Sequence, residues 1–213
     1  IGIEYMYVRD PQKIGWIQNW LNQNLNQPKL SKEEKERVLE KLNEATAFEN
    51  FMHTKYVGQK RFSVEGNESL IPALDTLINK SAEHGVEEVI VGMAHRGRLN
   101  VLANIFGKSY SQIFSEFEGK AFDTDLVAGD VKYHMGSSNT IKAHNGKDIL
   151  INLAPNPSHL ETVDAVVEGI ARAKAEEDYN EDYSKIIPIL IHGDAAVAGQ
   201  GIVYEVVQMA GLD

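Results

Sequence analysis

The stretch Val86-Glu87-Glu88-Val89-Ile90-Val91-Gly92-Met93, followed at once by Ala94-His95-Arg96-Gly97-Arg98, decides how the rest of the chain is read. It is short, apolar and rich in β-branched side chains, so it reads as a strand. Just upstream, Leu70 to His84 recurs with helical period and stops at Gly85, a residue suited to the left-handed turn that closes a helix. Downstream, Leu99, Leu102 and Ile105 fit a second helix. Two more apolar runs repeat the theme, Asp148 to Leu153 (DILINL) and Ile186 to Ile191 (IIPILI). Between them Asn156-Pro157-Ser158-His159-Leu160-Glu161 reads as a cap, with Leu160, Val163, Val167 and Ile170 expected to face inward from the helix that follows. Pro188 removes one ladder donor and predicts an edge or a strand start. Strands alternating with helices predict an α/β fold, a parallel sheet with crossover helices.

Before that pattern begins, residues 1–60 are expected to form a helical N-terminal segment and residues 61–213 the α/β domain. The first thirty residues are irregular in pattern. Ser31-Lys32-Glu33-Glu34 then has the form of a capping box, and Val38, Leu42, Ala45, Phe48 and Met52 follow at helical spacing. The charge run from Lys32 to Lys41 is expected to be the solvated face of that helix.

Composition excludes several classes of function. With 21 Lys and Arg against 31 Asp and Glu, the formal net charge of −10 disfavours nucleic acid and anionic membrane as partners. No Cys is present, which removes disulfides, thiolate nucleophiles and Cys-ligated metals. No apolar run has the length of a membrane span. The chain opens at Ile1 and stops at Asp213, and is expected to be part of something longer.

In open α/β sheets, ligands bind beyond the carboxyl ends of the strands. Two strand ends carry suitable groups: His95-Arg96-Gly97-Arg98 and His192-Gly193-Asp194-Ala195-Ala196. Arg suits phosphate and His can move a proton near neutral pH, although a solvated basic turn would look the same. Asp194, followed by small residues, could ligate a divalent ion beside phosphate oxygens, or simply cap the next helix. Lys132-Tyr133-His134-Met135-Gly136 offers another His in a Gly- and Ser-rich loop. Familiar signatures fail: a P-loop ending at Gly107-Lys108-Ser109 would need glycine where Leu102 stands, and a dinucleotide fingerprint from Gly199 would need it at Tyr204.

Taken in order, Glu4-Tyr5-Met6, Phe62-Ser63-Val64-Glu65-Gly66, Gly92 to Asn100 (GMAHRGRLN), Gly129 to Gly136 (GDVKYHMG), Asn156 to Glu161 (NPSHLE) and His192 to Gly201 (HGDAAVAGQG) resemble one family. It is the thiamine-diphosphate-dependent first component of the 2-oxoglutarate dehydrogenase complex. The resemblance covers the whole chain and implies an incomplete thiamine-diphosphate-binding fold, the first cofactor domain of a longer, homodimeric enzyme. It implies that Asp194 is the Mg²⁺ ligand, flanked by Ala195 and Ala196, that Arg96 binds the diphosphate, and that Ser158 and Leu160 line the cofactor. It also implies that His95 and His134 are the catalytic histidines contacting the oxo acid, with Ser158 and Phe62 beside the substrate. The implied activity is decarboxylation of 2-oxoglutarate on thiamine diphosphate and succinylation of a lipoyl group on a partner succinyltransferase. Alternatives are a 2-oxoadipate-selective homologue, a simple 2-oxoglutarate decarboxylase, or a non-catalytic module of the complex. The implied setting is bacterial cytoplasm or the mitochondrial matrix. Two departures stand out. Ser137-Ser138-Asn139 replaces bulkier residues, and the Asn pair and catalytic glutamate of the family lie beyond Asp213, so this piece alone is expected to be inactive.

Overall fold

The computed structural model describes residues 3–24, 27, 29–118, 133–210 and 212. The Gly129 to Lys132 part of the GDVKYHMG motif lies outside them. Contacts group the chain into two units, Ile1–Glu40 and Lys41–Asp213.

The first unit holds helix α1 (Pro11–Asn24) and the start of α2 (Lys32–Lys55). α1 falls within the stretch 1–60 expected to be helical, although the first thirty residues carry no regular apolar pattern. Asp10 Oδ1 accepts the backbone N–H of Gln12 at 2.8 Å, and Pro11 occupies the first helical position, where its missing N–H costs nothing. The capping box at α2 forms as expected: Glu34 N–H donates to Ser31 Oγ at 3.1 Å, and Ser31 N–H donates to Glu34 Oε2 at 2.8 Å.

In the second unit, α2 continues with Ala45, Phe48 and Met52 buried. Lys41, expected on the solvated face, is buried instead, because its ammonium reaches Glu44 Oε2 at 2.7 Å and the Asn104 carbonyl at 3.3 Å. Then come α3 (Leu70–Glu83), β1 (Glu88–Met93), α4 (Arg98–Asn104), α5 (Tyr110–Phe117), β2 (Ser137–Lys142), β3 (Asp148–Leu153), α6 (Thr162–Glu177), β4 (Ile186–Ile191), α7 (Asp194–Gly199) and α8 (Gly201–Gln208).

The four strands form one sheet in the order β2-β3-β1-β4. β1 is parallel to both β3 and β4, whereas β2 pairs antiparallel with β3 as a hairpin. All six residues of β1 are buried, as the continuous apolar run requires of a strand covered on both faces. Val89, Val91 and Met93 join one core with Phe48, Ile71, Leu102 and Ile151, while Ile90 joins Val163, Val167 and Ala171 of α6 in the other. Gly92 lets α6 approach: a Cβ there would meet Val167 Cγ2 at 2.8 Å. β4 lies at an edge of the described sheet, the position that Pro188 predicts.

α6 begins later than the sequence suggests. Glu161 takes the left-handed conformation, φ 64°, so the helix starts at Thr162 and Leu160 is 44% exposed rather than part of the core. Ile170 is only partly buried, packed at the margin of the α6 core.

Candidate active site

β1 and β4 run side by side with Met93 opposite Ile191, so the segments that leave them emerge together at one end of the sheet. Between those segments lies a cavity of about 810 Å³. His95, Arg96, Leu160, Asp194 and Ala196 line it, whereas Ala195 is exposed and does not.

The β1 side is shaped by a glycine. Gly97 sits at φ 79°, and a Cβ there would meet Val64 Cγ2 at 3.0 Å. Its N–H donates to the Phe62 carbonyl at 2.7 Å, drawing the 62–65 segment onto the strand end. Arg96 remains exposed and donates to the Ser63 carbonyl at 3.4 Å, leaving most of its five donors available to a ligand. That segment is held from behind by buried Glu49, which accepts from Arg61 Nη1 at 3.0 Å, Val64 N–H at 3.3 Å and Asn100 Nδ2 at 3.0 Å.

His95 belongs to two groups at once. It lines the cavity, and its ring centroid lies 4.0 Å from that of Phe62, whose other edge meets Tyr133 at 4.9 Å. Phe62 itself has φ 45°, an uncommon conformation for a bulky residue. Desolvation first, and then the nearby Arg96 and His134, hold His95 below the ordinary imidazole value. His134 and Ser158, twenty-four residues apart, share a hydrogen bond of 2.7 Å between Nε2 and Oγ. The Asn156 N–H also donates to the His134 carbonyl at 2.9 Å, so two bonds join these loops. Phe62, His134 and Ser158 do not line the cavity; Phe62 packs on the His95 ring, and His134 and Ser158 pair with each other.

On the β4 side, Gly193 caps α7 without a side-chain bond and Asp194 opens its first turn. Asp194 therefore does not cap the helix; its carboxylate is exposed at the cavity. The sequence reading missed its neighbours. His192 Nδ1 lies 2.6 Å from Glu161 Oε2 and 3.9 Å from Asp164 Oδ2. One donor atom from each of these three residues falls within 4.8 Å of the others, a set that could hold a cation. Burial, and then the Glu161 carboxylate, push Asp164 up to about 6, with His192 opposing. Glu161 stands at the cap of α6 and Asp164 in its first turn, so the left-handed turn at Glu161, not a shared helix face, brings the two carboxylates to His192.

A family model described as the dehydrogenase E1 component matches residues 40–213. The multifunctional 2-oxoglutarate metabolism enzyme of Mycolicibacterium vanbaalenii is 49% identical over 215 residues, covering 99% of this chain and 17% of that protein. The 2-oxoglutarate dehydrogenase E1 component of Cupriavidus necator is 49% identical over 210 residues, covering 99% and 22% respectively. The chain thus spans about a fifth of the length of these relatives.

Proposed function

The chain belongs to the dehydrogenase E1 component family, and from that premise we propose that it supplies one wall of the active site of a 2-oxoglutarate dehydrogenase. In this reading the cavity receives the diphosphate of thiamine diphosphate and its Mg²⁺. The donor set fits. An exposed guanidinium suits phosphate oxygens, and an exposed carboxylate offers the hard oxygen that Mg²⁺ prefers. Arg96 would hold the diphosphate and Asp194 the ion, with Leu160 and Ala196 as apolar walls and Ala195 behind Asp194. Thiamine diphosphate, when bound, supplies the electron sink for decarboxylating a 2-oxo acid.

The residues of the chain do the rest. His95, held largely neutral, is suited to donate a hydrogen bond to the oxo acid without adding a second cation beside Arg96. His134, braced by Ser158, can hold or move a proton at Nε2, the atom that the Ser158 hydroxyl meets. Phe62 packs on His95 and shields that side from water. We further propose that the complete polypeptide acts as a homodimer in the cytoplasm or matrix, and passes a succinyl group to the lipoyl group of a partner succinyltransferase. This portion alone would be inactive. No helix among the described residues is long and apolar enough to cross a membrane.

One observation carries the reading: two adjacent parallel strands in register deliver His95-Arg96 and Asp194 to the same cavity. The test is turnover of 2-oxoglutarate by the full-length protein bearing His95→Ala or His134→Ala. Each is expected to cost roughly 10²- to 10⁴-fold, the usual worth of a positioned acid–base group. Unchanged decarboxylation in both variants would leave the segment a scaffold only.

A further inference from the structure

Arg98 closes the His95-Arg96-Gly97-Arg98 segment, and the proposed chemistry does not use it. Yet its side chain is fully buried, at 0% exposure. A buried guanidinium ordinarily sits against a carboxylate. Among the described residues Arg98 instead meets three backbone carbonyls: Met93 at 3.1 Å, Met135 at 2.8 Å and Ala154 at 2.7 Å. Its Nε–H has no acceptor among them. Burial lowers its pKa to about 10, which still leaves it cationic at neutral pH.

The three carbonyls are not arbitrary. Met93 ends β1 and lies two residues before His95. Ala154 follows β3 and lies two residues before Asn156 and four before Ser158. Met135 is the residue after His134. One cation therefore ties together the three segments that carry His95, His134 and Ser158. The two strand ends are fixed by the sheet. The His134 segment belongs to no strand, since β2 begins only at Ser137. Charge-assisted bonds are roughly twice as strong as neutral ones, so the bond to Met135 outranks the backbone bond from Asn156 to His134. The seat is tight as well, because a Cβ on Gly136 would meet the Leu153 carbonyl at 2.7 Å.

We infer that Arg98 is a positioning residue, whose buried guanidinium fastens the His134 segment to the carboxyl ends of β1 and β3 and so sets the Ser158–His134 hydrogen bond. The inference rests on the proposed function only where activity is measured. Lys in its place keeps a charge but cannot serve three divergent carbonyls from one planar fork.

The decisive experiment uses the full-length protein bearing Arg98→Lys or Arg98→Met, with folding checked by circular dichroism. Diethyl pyrocarbonate modification of His134, followed by mass spectrometry and normalised to exposed His84, reports whether Nε2 is still engaged. His134 is expected to react several-fold faster in the folded variant, matching Ser158→Ala, with His84 unchanged. For turnover of 2-oxoglutarate, kcat should fall roughly 10- to 100-fold, the usual cost of a displaced catalytic group. The same change in a His134→Ala background should cost nothing further, because residues acting as one unit are not additive. Unchanged His134 modification would overturn the inference, as would additive losses. Failure of both Arg98 variants to fold would also overturn it, by showing a role in the whole fold. If His134→Ala proves silent, the proposed function fails, and the modification rates still decide the role of Arg98.

Discussion

The two ends of β1 handle buried charge in opposite ways. At the amino end Glu88 is 1% exposed and fully engaged: Lys174 Nζ approaches at 3.0 Å, Tyr179 OH donates at 3.1 Å, and the Asn152 amide donates as well. Every group there is spent on another group of the chain. At the carboxyl end the balance is open. Arg98 has carbonyls but no carboxylate among the described residues, Glu161 and Asp164 share one imidazole, and Arg96 and Asp194 face the cavity. A closed network buys stability; an open one keeps binding capacity for something outside the chain. The same strand thus carries one end closed within the chain and one end open to a cavity.

The largest effect should come from breaking the closed end. Glu88→Met strips Lys174 and Tyr179 of their shared partner and is expected to cost about 3 kcal/mol or more of folding stability. Urea denaturation would measure it. The diethyl pyrocarbonate reactivities of His95 and His134 should stay at their original ratio, and a change there would mean that the two ends are coupled. Asp194→Ala tests the open end. Removing an exposed carboxylate should leave stability within about 0.5 kcal/mol. In the full-length protein it should weaken Mg²⁺-dependent cofactor binding by about 100-fold or more, since even outer-shell partners of metal ligands are worth 10- to 100-fold. Isothermal titration would show it. Lost stability without lost binding would reverse the contrast between the ends.

Most of what defines this contrast was legible in the sequence, and the gaps have physical causes. β1, β3 and β4 announce themselves as apolar runs because a parallel sheet is covered on both faces, and Pro188 marks its own edge position. β2 (SSNTIK) does not, because its residues are mainly exposed and it is held by pairing with β3 rather than by an apolar face of its own. α1 escapes notice for a related reason: none of its residues is buried, so no core imposes a pattern on its side chains. At the site, His95-Arg96 and Asp194 were visible because they follow strands directly. The bond from His134 to Ser158 and the reach of Arg98 to Met135 and Ala154 were not, because each joins residues far apart in sequence. Glu161 shows a third kind of gap. Its positive φ delays α6 and turns its carboxylate toward His192, and no residue type at that position advertises such a conformation.

The smallest predicted effects are the most diagnostic, because acid and alkali should act on opposite ends of β1. His95 is held below the ordinary value of 6.5 by desolvation, Arg96 and His134. The unfolded chain takes up that proton near pH 6.5 while the folded chain resists it. The stability due to a neutral His95 is therefore full above that pH and declines as pH falls toward the folded value. Tyr179 is displaced the other way, pushed up to about 12 by burial and then by Glu88. Its contribution is full below the unfolded value of 10 and is lost as pH rises toward 12. Denaturation midpoints across pH should separate the two. Arg96→Ala removes one cause of the His95 shift, so it should raise the His95 pKa and shrink the acid limb without touching the alkaline one. Tyr179→Phe should do the converse. If Arg96→Ala left the His95 titration in place, Arg96 would not be felt by the imidazole, and the open end would be less strongly coupled than its geometry requires.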